Sequence, residues 1–305
     1  MKKMILIVLC SFLLLIFTGC NSQLNEKITI GLMPDVNSVP FIIAAEKGLF
    51  KEQGLNVETQ LFMSAVERDA ALQAGKIDGC VSDILAVVFA RQGGFDVKMT
   101  SVTDGDYVLL ASKHSNIDNI RDLKNVEIGL STNTIIEYVT DTILTKNGLK
   151  EEEIKRMPIP KIPIRLEMLE NGKIYGACLP QPLATLAEEK GAKVIATSSK
   201  QGLAPSVMVF NSDIIKQKKQ AIKKIYEAYN QAVQLINDNP SSFMDLIVQK
   251  AKFPPEIRDA VQLPQYKKAE LPKREDVNEV LNWMEKKGLL KRQFKYNDMV
   301  EKGLF

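Results

Sequence analysis

The chain has 305 residues, of which 45% are hydrophobic and 25% are charged. This ordinary globular composition is enough for one large domain or two medium ones and excludes a wholly disordered chain. The formal charge falls from +3 to +1 when Lys2 and Lys3 are set aside, which argues against a nucleic-acid partner. The single histidine, His114, lies in a polar, loop-like stretch, so a multi-histidine metal site is excluded and we expect no metal and no cofactor.

The first twenty residues have the pattern of an export signal. Lys2 and Lys3 precede an apolar run, Met4 to Phe17, of 14 residues that is interrupted only by Ser11. This run is shorter than the about 20 residues that span a bilayer. The following "FTGC" resembles the lipobox of bacterial lipoproteins, with Phe17 where leucine is usual. We therefore predict a lipoprotein signal peptide over 1–19, a lipid on Cys20 and a tether over 20–27; an ordinary secretory signal is the alternative.

Apolar stretches alternate with helical ones through the first half of the mature chain. Such alternation indicates an α/β fold with parallel strands. Strands are predicted at 28–33, 56–62, 77–83 and 96–103, and helices at 41–55, 64–76 and 84–94. The proline-rich "MPIPKIPI", Met157 to Ile164, predicts an extended strand and loop, and amphipathic helices are predicted at 219–240 and 274–288, the latter with Trp283 as a packing residue.

The two halves of this region are similar to each other at an offset of 97 residues. Nine identities fall in a thirty-residue window where chance gives about two. Arg68, Leu72, Gly75, Lys76, Ile77, Gly79, Ala90, Gly94 and Val97 match Arg165, Leu169, Gly172, Lys173, Ile174, Gly176, Ala187, Gly191 and Val194. We interpret this as two lobes of like topology, the alternative being that helix-Gly-Lys-strand junctions are alike in many folds. Cys80 and Cys178 then lie on corresponding strands of different lobes, and each is expected to be a buried, unpaired thiol.

Four segments carry a resemblance to a known family. They are "PDVNSVPFIIAAEKGLFKEQGLNVE", "ALQAGKIDGCVSD", "LPQPLATLAEEKGAKVI" and "WMEKKGLL". In order and spacing they resemble the SsuA/THI5-like (NMT1-like) solute-binding proteins of the sulfonate, nitrate, taurine and thiamine-precursor type. The resemblance implies the type 2 periplasmic-binding fold, two α/β lobes joined by two crossover strands. Lobe 1 would comprise 28–105 plus 205–305, and lobe 2, inserted, 106–204, with crossovers at "TDGDYVLLAS" and near "GLAPSVMVF".

A ligand of such a fold binds where strand ends lead into helix N-termini, because free N–H groups there face the crevice. The polar residues at these positions are the candidate ligand-binding residues: Asn37, Ser38, Ser64, Ser82, Asp83, Asp104, Tyr107, Thr132, Asn133, Thr134 and Gln181. Each hydroxyl or amide could equally be a helix cap, and Ser64 with Glu67 has the spacing of a capping box. Gln181 stands where much of the family has glutamate in an "EP" pair.

These candidates include no arginine or lysine, whereas Asp35, Asp83 and Asp104 are expected near the same cleft. A neutral or zwitterionic ligand, with no net negative charge, is therefore predicted. The expected function is a lipid-anchored, extracytoplasmic solute-binding protein of an ABC importer, working as a monomer with a permease and an ATPase. The alternatives are an enzyme on the same fold (pyrimidine-precursor synthesis or a menaquinone-pathway dehydratase) and a ligand-binding sensor without transport.

Overall fold

The structure is a computed structural model that describes residues 27–203 and 205–305. The predicted signal peptide, the lipidated Cys20 and all of the tether but its last residue lie outside the described residues. The strands are β1 (Ile28–Leu32), β2 (Val57–Leu61), β3 (Gly79–Asp83), β4 (Val97–Val102), β5 (Tyr107–Ala111), β6 (Glu127–Leu130), β7 (Lys155–Pro158), β8 (Gly176–Pro180), β9 (Lys193–Thr197) and β10 (Ser206–Asn211).

The helices cover the faces of the strands. They are α1 (Val39–Glu46), α2 (Leu49–Glu52), α3 (Ala65–Gln73), α4 (Ile84–Gln92), α5 (Ile135–Lys146), α6 (Ile162–Glu170), α7 (Leu183–Glu189), α8 (Ser212–Asp238), α9 (Met244–Ala251), α10 (Arg274–Lys286) and α11 (Tyr296–Met299). Within α8, Lys218 has non-helical backbone angles and marks a kink. No helix of the described residues is long and apolar enough to cross a membrane.

The strands form two five-stranded sheets with the same order. One is β2-β1-β3-β10-β4 and the other is β7-β6-β8-β5-β9. In each sheet the strand that arrives from the other half of the molecule, β10 or β5, is antiparallel to its neighbours. The sheets are therefore mixed rather than purely parallel as the alternation of elements suggested. We call the part built on the first sheet lobe 1 and the part built on the second lobe 2.

Two neighbouring chain segments join the lobes. The first, 103–106, leads from β4 into β5, and the second, 198–205, leads from β9 into β10. They are held together because the Ser198 hydroxyl donates to the Asp106 carboxylate at 2.8 Å and accepts from the Tyr107 N–H at 2.9 Å. Short segments of this kind between two lobes are where a hinge motion is absorbed.

The sequence repeat corresponds to repeated packing. The Cδ1 atom of Ile77 lies where a Cβ on Gly31 would stand, 2.6 Å away, and that of Ile174 lies 2.5 Å from the same point on Gly129. A side chain on either glycine would collide with that isoleucine, which lies just before the next strand of the same sheet, so both strands need glycine there. The interpretation of the offset as two lobes of like topology is confirmed by these contacts and by the shared strand order.

Two other local predictions have clear outcomes. Cys80 and Cys178 are buried and unpaired, as predicted, one in each sheet. The extended segment predicted through Ile164 is wrong at its end, because α6 already begins at Ile162 with Pro163 in its first turn. Proline is tolerated there since the first N–H groups of a helix have no intrahelical partner.

Substituting glycine by alanine at corresponding positions of the two sheets should have unequal costs. A Cβ on Gly79 would lie 2.4 Å from the Phe210 ring and 2.5 Å from the Val209 carbonyl oxygen, which cannot both move away. We expect Gly79→Ala to lower the free energy of unfolding by about 2–3 kcal/mol, measured by urea denaturation. The control is Gly176→Ala, where the nearest atoms are side chains at 3.1 and 3.2 Å. It should cost about 1 kcal/mol or less; equal losses would contradict the packing described here.

Candidate functional site

A cleft lies between the carboxyl ends of the strands of the two lobes. Its open space, including the mouth, is about 470 Å³. Lobe 1 contributes Met33, Asp35, Asn37, Ala65, Arg68, Val81, Ser82 and Asp83, and lobe 2 contributes Tyr107, Ser131, Thr134, Ile135, Ile136, Pro160, Ile162, Arg165 and Pro180. Apolar walls with a few polar groups are the mixture typical of small-molecule sites.

Of the residues predicted from the sequence, Asn37, Ser82, Asp83, Tyr107 and Thr134 line the cleft. Asn37 and Tyr107 form a buried network, in which Asn37 Nδ2 donates to Tyr107 Oη at 3.3 Å. Thr134 caps α5, with its hydroxyl accepting from the Ile136 N–H at 3.2 Å. A capping role and a place in the cleft therefore coexist at Thr134.

The other predicted residues are not on the cleft wall. The side chains of three of them accept hydrogen bonds from nearby backbone N–H groups. Ser38 accepts from the Met33 N–H at 3.0 Å, Ser64 caps α3 through the Glu67 N–H at 3.3 Å, and the Gln181 side chain accepts from the Thr185 N–H at 3.1 Å.

Asp104, Thr132 and Asn133 also lie off the cleft wall. The Asp104 carboxylate accepts from the Lys267 N–H at 2.8 Å. Thr132 and Asn133 are exposed, and Asn133 has a φ of 58°, the left-handed conformation that asparagine tolerates. The Asp104 side chain therefore holds a distant segment of lobe 1, and Thr132 and Asn133 belong to the turn before the α5 cap, Thr134.

Two buried arginines line the cleft, which corrects the premise that its polar groups include no cation. Arg68 on α3 and Arg165 on α6 are related by the 97-residue offset, and their exposed fractions are 4% and 0%. Each donates from Nη1 to a strand carbonyl: Arg68 to Val81 at 3.3 Å, and Arg165 to Cys178 at 3.0 Å. The acceptors are related by the same offset. The sequence analysis did not include either arginine among the candidates; their place at the head of the repeat identities is the signal that could have pointed to them.

The electrostatic environments of the two arginines differ. Arg68 forms ion pairs with Asp69 at 2.7 Å and Asp83 at 3.8 Å, which hold its pKa above the usual range despite burial. Within the described part of the chain, no carboxylate forms an ion pair with Arg165, and its Nε and Nη2 atoms have no hydrogen-bond partner. Burial lowers the pKa of Arg165 to about 10, so it stays charged at neutral pH. A buried charge without a partner is costly, so this group is poised to receive an anion.

Two carboxylates of lobe 1 face the same cleft. Burial raises the pKa values of Asp35 and Asp83 to about 6, against the opposing effects of nearby hydrogen bonds and Arg68. Asp83 accepts from the Ala86 N–H at 2.8 Å, and the Ile135 N–H at the start of α5 in lobe 2 lies close enough to lower the pKa of Asp83. It therefore joins the lobes through a helix N-terminus.

A second interlobe contact lies behind the cleft, where α10 of lobe 1 packs on α5 of lobe 2. Lys287, which follows α10, bonds to Glu137 at 2.6 Å and to Asp141 at 2.9 Å. Trp283 donates from Nε1 to Asp141 at 3.2 Å, and its ring meets Tyr138 edge-on with centroids 5.6 Å apart. Trp283 is thus a packing residue as predicted. The lobes are in contact on both sides of α5, so this is a closed arrangement.

Metal-binding and nucleophilic chemistry have little support in the described residues. Residues 27–203 and 205–305 contain no group of three or more His, Cys, Asp or Glu side chains that could hold a metal ion. Burial raises the pKa of Cys80 to about 12 and that of Cys178 to about 11, and neither lines the cleft. His114 is exposed on the surface and away from it.

The sequence profile of the NMT1/THI5-like family matches residues 35–242 of this chain. The chain belongs to this family. A Brucella abortus (strain 2308) protein named as a binding protein is 22% identical over 272 residues, which is 85% of this chain and 84% of the relative. The family match agrees with the resemblance seen in the sequence.

Solved structures show the same fold. The ligand-binding component of an ABC-type import system from Staphylococcus aureus, with zinc bound, has a TM-score of 0.80 and 17% identity, over 92% of this chain and 98% of that one. The alkanesulfonate-binding protein SsuA of Xanthomonas axonopodis pv. citri, bound to MOPS, has a TM-score of 0.76 and 16% identity, over 88% and 95%. A desulfurization enzyme, DSZB, shares the fold at a TM-score of 0.69 and 12% identity, over 92% and 97%. The fold, predicted from sequence, is the two-lobed periplasmic-binding fold.

The raised pKa of Asp35 predicts how stability depends on pH. In the unfolded chain its pKa is about 3.9, so between about pH 4 and 6 the folded state holds the proton more tightly. The Asp35 contribution to stability is thus complete below about pH 4 and is lost as pH rises through about 6. Relative to the wild type, Asp35→Asn should be more stable at pH 7 than at pH 4 by roughly 1–3 kcal/mol in urea denaturation. The same substitution at exposed Asp213 is the control; a pH-independent difference for Asp35→Asn would contradict the prediction.

Proposed function

We propose that the protein is the extracytoplasmic solute-binding component of an ABC importer and that it captures a small solute in the cleft between its lobes. The observation that carries the proposal is Arg165: a fully buried guanidinium on the cleft wall with two nitrogen atoms that no described residue accepts from. A solute with an acidic group would supply the missing acceptors, and binding would stabilise the protein in proportion to its affinity.

The comparisons support the same reading of the cleft. The Staphylococcus aureus protein is a ligand-binding component of an import system, and the Xanthomonas protein binds an alkanesulfonate. Both place a fold like this one in solute capture, and the family match extends over 35–242. Fold alone does not define function, so the charged groups of this chain's own cleft are the stronger argument.

The two crossings between the lobes provide the hinge of the proposed cycle. Rotation about 103–106 and 198–205 would separate Asp83 from the start of α5 and Lys287 from Glu137 and Asp141, which opens the cleft to solvent. A bound solute that contacts both lobes favours the closed form, because only that form allows both sets of contacts. We propose that the closed form is the one that docks on a permease.

The cleft is better suited to binding than to catalysis. Although an enzyme shares the fold, the described cleft wall contains no histidine or cysteine, and its polar side chains are carboxylates, hydroxyls, guanidinium groups and one amide. Tyr107 is held in hydrogen bonds to Asn37 and Ser206, and burial raises its pKa well beyond the range useful for acid-base chemistry. A binder that releases its solute unchanged fits these side chains.

Native mass spectrometry of protein purified from its own host under gentle conditions tests the function. We expect a one-to-one adduct whose small molecule is recovered chemically unchanged after denaturation. Added back at 100 times its dissociation constant, that molecule should stabilise the protein by about 2.7 kcal/mol. Deleting the gene should abolish cellular uptake of the same molecule. Recovery of a converted molecule would indicate an enzyme, normal uptake would indicate a sensor, and no binding of any small solute would contradict the proposal.

We further propose that a lipid on Cys20 holds the protein at the outer face of the bacterial cell membrane. Cys20 lies outside the described residues, and the support is the "FTGC" motif after a short apolar run. Cells fed a labelled fatty acid should label the wild type and not Cys20→Ala, and the variant should leave the membrane fraction. An unlabelled wild-type protein in the soluble fraction would contradict the anchor.

A further inference from the structure

The repeat shows what sets Arg165 apart from Arg68. The two carboxylates that neutralise Arg68 are Asp69 and Asp83. At an offset of 97 residues, the corresponding positions in lobe 2 are Leu166 and Pro180. The packing of the arginine and its bond to the strand carbonyl are retained, whereas both counter-ions are replaced by apolar residues. Lobe 2 therefore presents to the cleft a positive charge that lobe 1 neutralises internally.

Lobe 1, in contrast, has an excess of negative charge at the cleft. Asp35 is 6% exposed, lines the cleft and forms no ion pair in the described residues. The Ser38 hydroxyl donates to it at 3.4 Å, and interactions with Asn37 and the nearby charge of Arg68 partly offset the effect of burial on its pKa. The corresponding residues of lobe 2 are neutral and exposed: Thr132 at an offset of 97, and Asn133 if Gly31 is aligned with Gly129. The negative charge of Asp35 thus has no counterpart across the repeat.

The cleft wall is neutral in sum but divided in charge. Its charged side chains are two carboxylates and two guanidinium groups, of which Arg68 and Asp83 pair with each other. The remaining pair, Asp35 and Arg165, belongs to opposite lobes and forms no ion pair. The wall also includes apolar residues from both lobes, such as Met33, Val81 and Ile135.

From this division, and resting on the proposed function, we propose that the cleft selects a small zwitterion. Its acidic group, a carboxylate or sulfonate, binds Arg165 of lobe 2. Its cationic group, an ammonium or similar cation, faces Asp35 of lobe 1, with a short apolar skeleton between them. Each end belongs to a different lobe, so the molecule joins the two lobes only when both charges are present.

A solute with a single charge can pair with the charged residue of one lobe only. A plain sulfonate would pair with Arg165 but leave the buried Asp35 carboxylate unpaired and add a second negative charge to its surroundings. A plain amine has no acidic group, so the Arg165 guanidinium would remain without an acceptor. Since buried unpaired charges are penalised, the zwitterion should bind more tightly than either fragment.

Isothermal titration calorimetry on a matched panel tests the proposal. The panel consists of ω-amino carboxylates and ω-amino sulfonates with skeletons of increasing length, each beside the same skeleton without its amino group and without its acidic group. Any molecule that copurifies with the protein is added to it. We expect the tightest ligand to be a zwitterion that binds at least tenfold more tightly than both of its single-charge analogues.

Two variants test the binding of the cationic group and of the acidic group of the ligand separately. Asp35→Asn, nearly isosteric, should weaken the zwitterion at least tenfold and bring the plain anion to an equal or higher affinity. Arg165→Gln should remove the advantage of the zwitterion over the plain amine; if it does not fold, Asp35→Asn decides alone. Asp213→Asn and Arg121→Gln are the same-charge controls on exposed residues of the two lobes, and they should bind like the wild type.

The outcomes distinguish this proposal from the proposed function. If a single-charge analogue or a copurified solute lacking one of the two charges binds the wild type as tightly as any zwitterion, the ligand class is wrong while solute binding stands. If Asp35→Asn leaves the ratio of zwitterion to plain-anion affinity unchanged, the assignment of the cationic end is wrong. If nothing in the panel binds and nothing copurifies, both this proposal and the proposed function are contradicted.

Discussion

The organisation of the cleft depends on one buried charge, the guanidinium of Arg165. Taking such a group out of water costs several kcal/mol unless other groups replace the lost hydration. Here one N–H group reaches the Cys178 carbonyl, and the remaining nitrogen atoms Nε and Nη2 have no acceptor in the described residues. A protein that maintains this arrangement must stabilise it through the rest of the lobe. The fixed position of the charge suits a site that an anionic group completes.

The two lobes show how one supersecondary arrangement can be adjusted at two points to make a binding cleft. Both have the same strand order, the same glycine-isoleucine contact and the same arginine-carbonyl bond. Lobe 1 keeps the counter-ions of its arginine and adds Asp35; lobe 2 lacks both. Helix α5 then connects this cleft to the outside, since its first N–H lies near Asp83 while Glu137 and Asp141 in its next turns pair with Lys287. In the proposed cycle, closure of the cleft and formation of the outer ion pairs are therefore parts of one movement.

Much of this architecture could be predicted from the sequence. The alternation of strands and helices, the 97-residue repeat and the family resemblance gave the two-lobed fold, and the buried state of Cys80 and Cys178 followed from it. The site was predicted less well, because Ser, Thr, Asn and Asp favour helix caps and ligand loops for the same hydrogen-bonding reason. Ser64 and Thr134 are both caps, yet only Thr134 reaches the cleft wall. Arg68 and Arg165 occupy helix interiors, where pattern alone does not distinguish a surface arginine from a buried one.

The central claim is that a ligand's acidic group completes the hydrogen bonding of Arg165 inside a closed cleft. A crystal structure of the complex with the copurified solute tests it most directly. The account predicts oxygen atoms of that group within about 3 Å of Nε and Nη2 of Arg165, with both lobes in contact with the ligand. A solute bound elsewhere, or one in the cleft that leaves both nitrogen atoms without an acceptor, would contradict it.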